Sequence, residues 1–146
     1  MPAEAADIAG RLGASVLVGE GEADGLPAGP GTYGLLLRLP ESVSLGLPRL
    51  GNPVLAPGLY LYCGSANGPG GVRARLGRHL RRDKILRWHI DYLSGAAAEI
   101  AGIVVPEANE CGLLGRASAF PGTKMPVPGF GSSDCRICPA HLLLLA

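Results

Sequence analysis

Aromatic residues make up only 5% of this 146-residue chain: one Trp, two Phe and four Tyr. That scarcity argues against a single-strand binding surface made of many stacking rings. Charged residues are also few, at 17% against 47% hydrophobic, which excludes an unstructured polar chain and demands a packed core. No apolar run approaches the ~18–20 residues that cross a bilayer, and the closing "HLLLLA" is far too short, so no membrane partner is expected. Acidic Glu4 and Asp7 stand where a secretory signal would be basic and then apolar. The expected location is therefore the cytoplasm, where Cys63, Cys111, Cys135 and Cys138 should be reduced thiols or metal ligands rather than a disulfide framework. No lysine follows a glycine, so the P-loop pattern is missing, and "GSANGPGG" (64–71) breaks the spacing of the dinucleotide fingerprint.

Glycine and proline are plentiful, at 23 and 13 residues, so many turns and short elements are expected instead of a helical bundle. The length suits one domain with a real core. The formal charge of +1 hides an asymmetry. Between positions 73 and 87 lie Arg73, Arg75, Arg78, Arg81, Arg82, Lys84 and Arg87 against the single acid Asp83, a net +6 that leaves −5 for the rest of the chain. A basic patch on a mildly acidic body predicts a defined polyanion site; a solvated helix face is the plainer alternative.

Residues 1–28 read as a peripheral segment, a short helix followed by an acidic glycine-rich connector, with the domain proper spanning 29–146. The apolar runs "TYGLLLRL" (32–39), "LYLYCGS" and "EIAGIVVP" predict three strands near 32–39, 58–64 and 99–105. A minor strand pair is expected in the Pro/Gly-broken stretch 40–57. Val72, Leu76 and Leu80 recur every four residues and predict a helix over 71–86. "HIDYL" suits either a helix or a strand. "NECGLLGRASAF" predicts another short helix, and "CRICPAHLLLLA" a final element and strand. The class is α+β.

On the 71–86 helix, Arg75 and His79 stand four apart and share a face. An always-charged guanidinium suits a developing phosphate charge, and a neighbouring imidazole can move a proton. Both could equally be border residues lying along a helix–sheet seam. The ordered set "GTY" (31–33), "LYCGSA" (61–66) and "RLGRH" (75–79) resembles the GIY-YIG nuclease superfamily, in its Gly-x-Tyr, Tyr-x-Gly and Arg-x-x-x-His motifs. "WHIDYL", "EC" at 110–111, "PGFGSSDC" and "HLL" resemble a compact branch of it. The resemblance runs from Gly31 to Leu145. It implies a small three-stranded antiparallel sheet flanked by helices, here with an extra C-terminal strand or loop element. It also implies an endonuclease that hydrolyses phosphodiesters in DNA, or in RNA, with Mg²⁺ or Mn²⁺. Tyr33 and Tyr62 would bracket the attacking water, Arg75 would steady the phosphorane charge, and His79 would position or transfer a proton. Glu110 would hold the metal, and Arg73, Arg78, Arg81, Arg82, Lys84 and Arg87 would grip nucleic acid. The chain departs from the pattern in three respects. Cys63 replaces a branched aliphatic, and "NGPGG" delays the arginine so that Arg73 competes with Arg75. The third is Glu110, which precedes the apolar run of its helix.

Cys111, Cys135, Cys138 and His141 offer a possible Cys₃His zinc site, with idle thiols as the alternative. His89 and Asp91 would share a face if they lay on a strand, as an acid-oriented histidine. Trp88 reads as core before stacking platform. Two rival functions accompany the nuclease: a non-catalytic nucleic-acid-binding module of the same fold, and a zinc-stabilised interaction domain.

Overall fold

The computed structural model describes residues 1–131 and 138–145. Gly31–Leu39 (β2) and Gly58–Ala66 (β5) run antiparallel in full register, from Gly31 opposite Ala66 to Leu39 opposite Gly58. Glu99–Val104 (β6) pairs with the other edge of β2. These are the three strands expected from the apolar runs. Their side chains are buried on both faces, so they read as nearly continuous apolar sequence rather than as an alternation.

The sheet is wider than the three strands that the resemblance implies. Val16–Gly19 (β1) pairs with β6, and Leu142–Leu144 (β7) pairs with β5, giving a five-stranded antiparallel sheet in the order β1-β6-β2-β5-β7. The closing strand was expected; β1 was not. It is four residues long and bounded by glycine, too short for a period-2 pattern to emerge, and it forms because β6 offers an open edge. The segment 1–28 thus contributes an edge strand to the main sheet. The minor pair in the 40–57 stretch is Val43–Ser44 (β3) against Val54–Leu55 (β4).

Helices cover both faces of the sheet. On one, Tyr33, Leu35, Leu37, Tyr60 and Tyr62 pack with Val72, Leu76 and Leu80 of Gly71–Leu80 (α2) and with Ile90 and Leu93 of His89–Ser94 (α3). On the other, Leu36, Leu59, Leu61 and Cys63 meet Ala5–Leu12 (α1) and Glu110–Ser118 (α4). Each such buried leucine stabilises the fold by about 1.5–3 kcal/mol. The interior position of Cys63 accounts for an apolar-sized residue at the middle of "YCG".

Helix α2 is shorter than its predicted span to residue 86. Arg81 turns to extended backbone (φ −82°, ψ 140°), and Lys84 Nζ folds back to donate to the carbonyls of Arg78 and His79, at 3.2 and 2.9 Å. Those terminal carbonyls are satisfied by a cation instead of another helical turn. "HIDYL" is helical. The Asp91 carboxylate accepts from the Arg87 and Trp88 backbone N–H groups at the start of α3, at 2.8 and 2.9 Å.

Candidate active site

Tyr33 and Tyr62 lie on adjacent strands and face α2. Tyr33 is paired with Gly64 across the sheet, and its ring occupies the space that a side chain there would need: a Cβ on Gly64 would lie 2.5 Å from the Tyr33 hydroxyl. Tyr62 is confined in the same way from outside the sheet. Gly131, at φ +69°, brings backbone so close that a Cβ would stand 2.6 Å from the Tyr62 ring. The glycines of these two segments therefore set the positions of two phenols.

His79 projects from α2 onto this pair and is 1% exposed. Its Nε2 lies 2.9 Å from the Tyr33 hydroxyl, and its ring meets Tyr62 edge-on at 6.0 Å. Burial, with help from the Lys84 charge, lowers its pKa to about 3, so the imidazole is neutral at ordinary pH. Its Nδ1 is buried with no hydrogen-bond partner among the described residues. Burial raises both tyrosines above the ordinary phenol value.

Arg75 stands one helical turn before His79. It donates to the Ser65 carbonyl at 2.8 Å, and its guanidinium lies over the Trp88 ring at 5.2 Å. Tyr33, Tyr62, Arg75, His79 and Glu110 all line one cleft of about 440 Å³, together with Ser65, Asn67, Arg87, Trp88, His89, Gly131 and His141. The five residues expected to act together thus share one cavity, although Glu110 comes from the opposite layer. Asn109 caps α4 by accepting from the Gly112 N–H at 2.7 Å, and this sets Glu110 in the first turn, half-buried, at the cavity wall.

Arg73 lies elsewhere. It donates to the Leu26 carbonyl at 2.9 Å and lines a separate depression beside β1, so of the two competing arginines it is Arg75 that lines the cleft. The other basic residues divide by their contacts. Arg78 forms a two-pronged bond to Asp91, at 2.7 and 2.9 Å. Burial alone would raise the Asp91 pKa, but Arg78 and the two backbone N–H groups outweigh it and bring it to about 2. Arg82 is held by Glu20 and by the carbonyls of Ser94, Ala97 and Ala98. Arg81 and Arg87 are exposed. The basic window is therefore not one uniform phosphate-gripping face.

Asp91 does not orient His89. The two lie on a helix, and His89 Nδ1 instead accepts from the Gly131 N–H at 2.9 Å. Trp88 is half-buried between Arg75, Arg78 and the edge of His79. The sequence reading did not place Gly131 or His141 on the cleft. Repeated apolar contacts define elements, and neither residue belongs to such a pattern.

The expectation of reduced cysteines needs correction. Cys111 and Cys138 form a disulfide across 27 positions, with Cα atoms 6.2 Å apart. The pairing follows from the first turn of α4 meeting the segment before β7, a contact that sequence spacing does not reveal. His141 Nε2 lies 2.9 Å from Cys138 Sγ, and Cys111, Cys138 and His141 are grouped closely enough to hold a metal ion only with the disulfide reduced. Cys135, the remaining member of the expected zinc set, lies outside the described residues. No helix among the described residues is long and apolar enough to cross a membrane.

Residues 32–146, which carry every residue of the cleft, match the family model described as domain of unknown function DUF123. The chain belongs to the DUF123 family. No curated protein and no solved structure matches it. The matched span takes in β2 from Thr32 onward through β7 and every element that lines the cleft, while α1 and β1 precede it.

Proposed function

We propose that the cleft hydrolyses phosphodiester bonds, as a divalent-metal-dependent endonuclease acting on DNA or RNA. One observation carries the reading: two tyrosines, a neutral histidine, an arginine and one carboxylate line a single cleft, with Tyr33 hydrogen-bonded to His79. Raised phenol pKa values disfavour a standing tyrosinate. They favour Tyr33 as a hydrogen-bonding group that orients the attacking water while the neutral His79 Nε2 fixes its hydroxyl. Tyr62 orders the same water from the neighbouring strand. Arg75 meets the non-bridging phosphate oxygens, where negative charge grows in the transition state. The exposed Arg81 and Arg87 guide the polyanion in.

The donor chemistry suits a hard cation at Glu110, because Mg²⁺ and Mn²⁺ accept one carboxylate and fill their remaining positions with water and phosphate oxygen. Such an ion, when bound, supplies charge neutralisation at the phosphate. Zn²⁺ is the ion proposed for the thiol–imidazole group of Cys111, Cys138 and His141, whose donors are softer. The test is cleavage of supercoiled plasmid and of single-stranded DNA and RNA with Mg²⁺ or Mn²⁺. Arg75→Ala and Glu110→Gln should each reduce the rate at least ~100-fold. Equal cleavage by both variants, or a wild-type chain that binds nucleic acid and never cuts it, would sink the enzyme.

A further inference from the structure

His141 presents its two ring nitrogens to two different groups. Nε2 faces Cys138 Sγ at 2.9 Å, and Nδ1 lies 3.9 Å from the Glu110 carboxylate. The ring is 3% exposed, so its orientation is set by packing. On the sulfur side, the ligating atoms of Cys111, Cys138 and His141 all lie within 4.8 Å of one another. Once reduction parts the two bonded sulfurs, one Zn²⁺ at about 2.3 Å from each sulfur and about 2.0 Å from nitrogen takes its place between these three atoms. On the other side stands the only carboxylate that lines the cleft among the described residues.

We propose that Cys111, Cys138 and His141 form an oxidation-sensitive Zn²⁺ site that positions Glu110 through His141. With the ion on Nε2, the imidazole proton must reside on Nδ1, pointed at the Glu110 carboxylate. This is the arrangement in which an outer carboxylate orients a metal-bound histidine and is itself held by it. Cys111 follows Glu110 directly in the first turn of α4, so the ion also ties that turn to the chain entering β7. The disulfide and the ion use the same two sulfurs and exclude each other. The oxidant is a small dialkyl disulfide of the glutathione class. Exchange forms the Cys111–Cys138 bond and breaks the S–S bond of the oxidant. Two electrons pass to the oxidant, which leaves as two thiols after taking up two protons. Zn²⁺ departs with its oxidation state unchanged. The proposed control of cleavage rests on the nuclease reading; the metal site itself does not.

Cobalt, a spectroscopic stand-in for zinc, tests the site on the full chain after reduction with a phosphine. One equivalent of Co²⁺ should saturate a thiolate-to-metal charge-transfer band, Zn²⁺ should displace it, and glutathione disulfide should abolish it. Cys111→Ser and Cys138→Ser should lose the band while keeping the wild-type far-ultraviolet circular dichroism. Glu110→Gln, which leaves all three ligands in place, should weaken Co²⁺ binding roughly 10-fold or more through loss of the outer carboxylate. No charge-transfer band in the reduced wild type would overturn the site, as would a band that survives glutathione disulfide. Unchanged Co²⁺ affinity in Glu110→Gln would overturn the link to the cleft. None of these readings requires nucleic acid, so a chain that passes them but never cleaves refutes the nuclease alone. If it does cleave, equal rates for the Zn²⁺-loaded and disulfide forms overturn the control.

Discussion

On one wall of the cleft, Tyr33, Tyr62 and His79 rise from the middle of the sheet and from the helix packed on it, nearly closed to solvent. On the opposite wall, Glu110 stands half-buried at the start of a nine-residue helix whose first turn is anchored through Cys111 and Cys138. The first wall is held by core packing and by the buried Arg78–Asp91 pair beneath Trp88. The second is held by covalent and polar links between segments remote in sequence. A site divided in this way has its tyrosines and histidine preorganised by the hydrophobic core, while the position of its carboxylate depends on the links at the cysteines.

Breaking the first wall should have the largest effect. The Asp91 side chain is fully buried and Arg78 is only 18% exposed, so Asp91→Ala leaves a guanidinium without its partner in a poorly solvated place. A loss of about 3–5 kcal/mol is expected from denaturant titration. The same change at the exposed Glu4, which pairs with Arg38, should lose under about 1 kcal/mol. Breaking the second wall comes next. Reducing the disulfide, which spans 27 positions, with metal removed by a chelator should lower stability by about 3 kcal/mol in the loop-entropy model. An unchanged denaturation midpoint would show that the first wall alone carries the fold.

A smaller, graded effect separates the walls by pH. His79 is neutral when folded, with a pKa of about 3, against about 6.5 when unfolded. Between those values the unfolded chain binds a proton that the folded chain does not. The stability contribution is therefore intact above pH ~6.5 and declines as pH falls toward 3, by up to ~1.4 kcal/mol per pH unit. Denaturation at pH 7, 6 and 5 should show this decline, and His79→Gln should flatten it. Equal slopes in both proteins would place the titrating group elsewhere. The smallest effect concerns the rim. Under the proposed function, Arg87→Ala should reduce the salt dependence of nucleic-acid binding by about one unit of slope. Arg82→Ala, whose guanidinium is already held by Glu20 and three carbonyls, should leave the slope unchanged.

Much of the first wall was legible in the sequence. "TYGLLLRL" and "LYLYCGS" are apolar enough to declare central strands, and the spacing of Arg75 and His79 declares a shared helical face. Their tyrosines and basic residues follow from those elements. Helix α2 ends six residues before the expected position 86 because Lys84, within the basic run that continues past Leu80, turns back onto the helix end. Less of the second wall could be read. Glu110 was named from its resemblance to a motif, and its approach to the cleft depends on Asn109 capping α4 and on a layer built partly by α1. The Cys111–Cys138 bond and the two-sided placement of His141 join segments with no shared period.

The sequence alone determined the three central strands, the helix carrying Arg75 and His79, and a clustering of basic residues between positions 73 and 87. These follow from local composition and spacing, apolar runs for the strands and a four-residue repeat for the helix. Tertiary structure alone decided the fifth strand, the division of the basic residues into internal partners and exposed ones, and the meeting of Glu110 with His141 and the cysteine pair. Those depend on which surfaces meet once the core has formed, and contacts between distant segments leave no local repeat in the chain.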